Sequence, residues 1–157
     1  MHAAAPWNAE TAAEIIARHK DRPGALLPML HALQEQFGHI PDEAVRPVAE
    51  ALNLSRAEVH GVVTFYHDFR RNPAGRHVLK LCQAEACQSM GSRALAAALQ
   101  ESLGVKLGET TPDGRITLEP VYCLGNCACG PSVMVDGELH ARVTVENFDE
   151  IVAGART

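Results

Sequence analysis

With 157 residues, 46 % of them apolar, the chain has enough material for one ordinary domain or two small ones, and disorder throughout is not expected. Its 14 Lys and Arg against 19 Asp and Glu leave a net charge of −5, which disfavours nucleic acid as a partner unless the cations gather on one face. No run approaches the roughly 18 apolar residues of a membrane span, and the start "MHAAAPWNAE" lacks the basic flank and apolar centre of a signal peptide, so a cytoplasmic protein with no membrane span is expected.

Between residues 9 and 65 apolar side chains recur at helical intervals. "AETAAEIIARH" is rich in helix formers and stops before "DRPG". "PGALLPMLHALQEQFG" puts Leu26, Leu30, Leu33 and Phe37 on one face, with Pro23 at a tolerated start and Gly38 at a favoured stop. "PDEAVRPVAEALN" offers Val45, Val48 and Leu52, and Ser55 and Glu58 then stand at capping-box spacing before a helix through about Phe65. At "FRRNPAGRH" the composition turns polar, which marks a linker.

A different pattern follows. "HVLKLC" alternates as a strand, "GSRALAAALQESLG" reads as a helix closed by Gly104, and "RITLEPVYC" is a second strand after the turn pair Asp113-Gly114. "SVMVDGELHARV" is a hairpin about Asp136-Gly137, and "ENFDEIVAGA" a closing helix. The fold class is therefore α+β: an N-terminal helical bundle over residues 1–70, then an α/β domain over 71–157.

In a reducing compartment, five cysteines point to metal ligands, catalytic groups or core residues before structural disulfides. Four form a spaced set, Cys82-x4-Cys87 and, after 35 residues, Cys123-x3-Cys127. Each pair follows a predicted strand. If those strands lie side by side, both loops leave the same end of the sheet, and Gly91, Gly125 and Gly130 suit backbone that wraps tightly and points amides at sulfur. Structural zinc usually takes tighter C-x2-C knuckles, whereas a [2Fe–2S] cluster accepts four thiolates at wider spacing. The C-x-x-C pair of a thioredoxin dithiol is missing, and Cys129 reads as a small buried hydrophobe.

"CQAEAC", the following "GS" and helix, "DGRITLEPVYCLGNC" and the hairpin beyond resemble the thioredoxin-like [2Fe–2S] subunit of respiratory complex I and its relatives in NAD-dependent formate dehydrogenases and bidirectional hydrogenases. "HGVVTFYHDFR" resembles the end of that family's N-terminal helical domain, so the likeness covers about residues 10 to 152. It implies a thioredoxin-like second domain and a cluster held by Cys82, Cys87, Cys123 and Cys127. "CACGPSVMVDGELHARVT" looks most like the gamma subunit of soluble NAD-dependent formate dehydrogenase; complex I members more often read alanine-proline where Gly130-Pro131 stands. The resemblance implies an electron-transfer subunit without a substrate site of its own. Its partners would be an FMN- and NAD-binding iron–sulfur subunit and a catalytic molybdenum or tungsten subunit that oxidises formate.

Two other classes compete. "LNLSRAEVHGVVTFY" has the outline of a helix-turn-helix, which with iron–sulfur ligands would suit a DNA-binding regulator; Arg56 is its one firm cation, and packing of Val59, Val62, Val63 and Phe65 is the expected use. A structural zinc module is the other. His60 and His67 stand seven apart on a possible helix and flank Phe65, Tyr66 and Phe69, where a partner or the core is met.

Overall fold

The computed structural model describes residues 5–156, which divide into two compact units at Pro73–Ala74. The first unit is four helices: α1 (Ala9–His19), α2 (Leu26–Phe37), α3 (Asp42–Leu52) and α4 (Arg56–Phe65). Local chemistry sets their ends. Asn8 Oδ1 accepts the Thr11 N–H at 2.9 Å and opens α1. Helix α2 begins at Leu26, later than Pro23 suggests, because Gly24 takes φ +65° and holds the chain in a turn until Ala25. Asn53, at φ 53°, ends α3, and Ser55 and Glu58 complete the capping box of α4.

Each helix contributes one apolar stripe to a shared core. Met29, Leu30, Leu33 and Phe37 of α2 are buried with Ile15, Ile16, Ile40, Val48, Val59 and Val63. Leu26, Val45, Leu52 and Val62 are only partly buried at the margin. Phe65 departs from expectation: it is 73 % exposed, because α4 ends there and Tyr66 turns to extended backbone. That break also removes His67 from the helix, so His60 and His67 do not share a helical face.

The second unit is built from β1 (His77–Cys82), α5 (Glu85–Ser89), α6 (Ser92–Leu103), β2 (Glu109–Thr110), β3 (Ile116–Val121), β4 (Val133–Val135), β5 (Glu138–His140) and α7 (Phe148–Arg156). They form one sheet in the order β2-β3-β1-β4-β5. β1 and β3 are parallel, with Cys82 opposite Val121, and α5 and α6 lie in the crossover between them. β4 returns antiparallel to β1 and turns into β5 through Asp136 and Gly137, both at positive φ. The Asp136 carboxylate ties this hairpin to β1, accepting the Val78 N–H at 2.8 Å and pairing with His77 Nδ1 at 2.6 Å. Leu79, Leu81, Leu95, Leu99, Ile116, Leu118, Val133, Phe148 and Val152 make the core. Among the described residues, no helix is long and apolar enough to cross a membrane.

Candidate metal centre

Parallel pairing sends the loops after β1 and β3 out of the same sheet end, and the four spaced cysteines lie there. Cys82 closes β1; its N–H bonds the Ser132 carbonyl at 3.1 Å, and the next residue, Gln83, extends the pairing to Val121 O at 2.7 Å. Its own carbonyl accepts the hydroxyl of the fully buried Ser92. Gln83 Nε2 donates to Ser92 Oγ at 2.9 Å and Gln88 Nε2 to the Gln83 carbonyl at 2.7 Å, so the loop between the first two cysteines is clamped to the start of α6. Cys87 sits within α5. Both thiols of this pair are nearly inaccessible, Cys82 at 1 % and Cys87 at 2 % exposure.

The second pair is built differently. Cys123 and Cys127 are exposed on the loop after β3, their sulfurs 3.6 Å apart. Two thiolates about 2.3 Å from one tetrahedral metal stand roughly 3.7 Å apart, so this spacing fits shared ligation. Cys123 takes φ 152°, a backbone value that L-residues rarely adopt, and Gly125 at φ 77° turns its N–H to Cys123 Sγ at 3.3 Å. Cys127 starts a 3-10 turn, Cys127–Cys129. Cys129, expected in the core, is half-exposed; its short turn points no face steadily inward.

The four thiols form one electrostatic group. The Gly125 amide and then the Cys127 thiol hold Cys123 below the ordinary cysteine value, and Cys127 is correspondingly raised by Cys123. Burial raises Cys87, reinforced by Cys82 and by the charge at Cys127, while the Ser132 N–H works the other way. Ionising all four together without a cation is therefore unfavourable, and a metal centre relieves the repulsion. Among the described residues, no three His, Cys, Asp or Glu side chains converge as donors to one ion; the thiols are arranged as two pairs. A binuclear, thiolate-ligated centre suits that arrangement.

Sequence reasoning named Cys82, Cys87, Cys123 and Cys127, and the fold brings all four to one sheet end. It missed α5, which carries Cys87, and the Gln83–Ser92–Gln88 clamp, whose polar residues have no distinguishing spacing. The helix-turn-helix outline survives as α3 and α4, with Val59 and Val63 turned into the core and Arg56 outside.

A thioredoxin-like sheet with two cysteine pairs at one end defines a class of thiolate-ligated metalloproteins, and comparison with known proteins narrows it. The family described as thioredoxin-like [2Fe–2S] ferredoxin matches residues 12–156. The E-type subunit of the NADH-quinone oxidoreductase of Escherichia coli (strain K12) is 40 % identical over 134 residues, 85 % of this chain and 81 % of that protein. A second-copy subunit of the same type from Rhizobium meliloti (strain 1021) is 38 % identical over 140 residues, 89 % of this chain and 83 % of its own. In fold, the chain resembles the air-oxidized NAD+-reducing [NiFe]-hydrogenase, with a TM-score of 0.70 at 22 % identity; the match covers 88 % of this chain but only 24 % of the hydrogenase chain. The protein belongs to the thioredoxin-like [2Fe–2S] ferredoxin family. Its cofactor is accordingly a [2Fe–2S] cluster and its role electron transfer.

Proposed function

We propose that the chain is an electron-transfer subunit of an NAD-linked oxidoreductase, with its [2Fe–2S] cluster held by Cys82, Cys87, Cys123 and Cys127. The observation that carries this reading is the gathering of two cysteine pairs at one end of the parallel β1–β3 pair, one of them at a 3.6 Å sulfur separation. When bound, the cluster supplies a reversible one-electron couple, about −400 mV in plant-type ferredoxins. The chain's own residues hold it at a fixed place. A strand end and a clamped helix present Cys82 and Cys87 from the interior, while Cys123 and Cys127 stand at the surface, the side from which a partner can exchange electrons. The Gly125 amide at Cys123 favours the anionic sulfur that a metal needs.

A one-electron carrier is useful only beside a second redox centre. Nicotinamide exchanges electron pairs as hydride, so the partner is an NAD-binding subunit whose FMN converts pairs into single electrons. The parent complex is a soluble, cytoplasmic formate dehydrogenase, in which a molybdenum or tungsten subunit oxidises formate; the support is the stretch "CACGPSVMVDGELHARVT". A second reading, the equivalent subunit of an NADH:quinone oxidoreductase, is favoured by the 40 % identity over 134 residues.

Anaerobic purification of the chain, tagged at its own locus in its native cells, tests both. A brown complex with FMN, two irons and two sulfides on this subunit, and formate-dependent NAD reduction is the expected result. Quinone reduction by NADH without formate activity would assign the second reading. A colourless protein with one zinc per chain would overturn both.

A further inference from the structure

Gly130 lies three residues beyond Cys127, yet it packs against the other cysteine pair. A side-chain carbon added there would stand 3.2 Å from Cys87 Sγ, 3.5 Å from Cys87 Cα and 3.7 Å from the Ala86 carbonyl oxygen. The backbone of Gly130, at φ −70° and ψ 162°, suits any residue, so what this position demands is space. It is also buried, leaving an added methyl no route to solvent.

The chain around Gly130 is held on both sides. The Cys129 carbonyl accepts the Arg142 N–H at 2.9 Å, the Pro131 carbonyl the Val143 N–H at 3.0 Å, and the Ser132 carbonyl the Cys82 N–H at 3.1 Å. Asn126 Nδ2 reaches Ser132 Oγ at 3.3 Å. Displacing this segment would break several of those bonds together, whereas the Cys87 sulfur can shift by rotation of a single side chain.

We propose that Gly130 is a positioning residue for Cys87: the absence of a side chain at 130 sets where the Cys87 sulfur stands, and through it the electronic properties of the cluster. The inference rests on Cys87 being a ligand, as proposed above. Metal–ligand distances tolerate about 0.2 Å. A methyl group at 130 asks the sulfur to give by a comparable amount, which disturbs the centre without abolishing it, and an isopropyl group asks for far more.

The test compares Gly130→Ala, Gly130→Val, Cys129→Ser and Cys87→Ser in the full chain purified anaerobically. Iron and sulfide content, the g values of the dithionite-reduced protein and the midpoint potential are measured. Gly130→Ala is expected to keep its cluster with displaced g values and potential, Gly130→Val to lose iron, and Cys129→Ser, in the same segment, to match the parent. Parental g values and potential in Gly130→Ala would overturn the proposal. Should Gly130→Ala not fold, it is combined with Cys87→Ala: recovery of folding supports the contact, and continued failure refutes it. Parental g values in Cys87→Ser would instead refute the ligand assignment itself, whatever Gly130 does.

Discussion

The two cysteine pairs differ in access and in acidity, and each difference has a measurable consequence. Cys123 is exposed and its thiol titrates below the ordinary value, with the Gly125 amide as the main cause, so its thiolate fraction near neutral pH exceeds that of a free cysteine. In metal-free protein, brief iodoacetamide treatment followed by peptide mapping should label Cys123 ahead of Cys127, and both ahead of the buried Cys82 and Cys87. Raising the pH should narrow the gap between Cys123 and Cys127, because the raised thiol of Cys127 ionises later. Equal labelling of all four thiols would contradict the asymmetry. In the loaded protein, Cys82→Ser and Cys87→Ser should lower iron content, while Cys129→Ser should not. The four-cysteine set was legible in the sequence because ligand spacing is a local property. The half-exposure of Cys129 was not, since a three-residue turn carries no periodicity from which burial can be read.

Among the elements, those with chemical end signals behave as their sequences predict. α4 is the clearest: Ser55 accepts the Glu58 N–H at 3.2 Å and Glu58 accepts the Ser55 N–H at 2.8 Å. Ser55→Ala should cost about 1 kcal/mol in denaturant unfolding. Those bonds from Ser55 also hold the Glu58 carboxyl below its ordinary range. A depressed carboxylate contributes stability that is present above its unfolded pKa and is lost as pH falls through its folded pKa. The difference between parent and Ser55→Ala should therefore shrink on acidification below the ordinary glutamate range, and a constant difference would count against the capping box. Leu33→Ala, at a position with no exposure, should cost about 2–5 kcal/mol, whereas Phe65→Ser, 73 % exposed, should stay within about 0.5 kcal/mol. α5 and β2 escaped the sequence reading because five residues and two residues are too short to show a period.

At the scale of the whole molecule, the cluster binds the folded chain and not the unfolded one, so it adds to stability by mass action. Stripping iron with a chelator under reducing conditions should lower the midpoint of thermal unfolding, and anaerobic reconstitution with iron and sulfide should restore it. An unchanged midpoint would mean that the cysteines contribute nothing to the fold through their metal. The sequence by itself determined the helical first half, the strands that end in cysteine pairs, the Asp136-Gly137 hairpin and the identity of the proposed ligand set, because caps, turns, alternation and ligand spacing are written within a few residues of one another. Tertiary structure alone decided that Phe65 stays outside the core, that one thiol pair is buried and the other exposed, and that Gly130 lies against the sulfur of Cys87. These depend on strand register and on how distant segments close over each other, and no local pattern encodes the contact between residues 87 and 130.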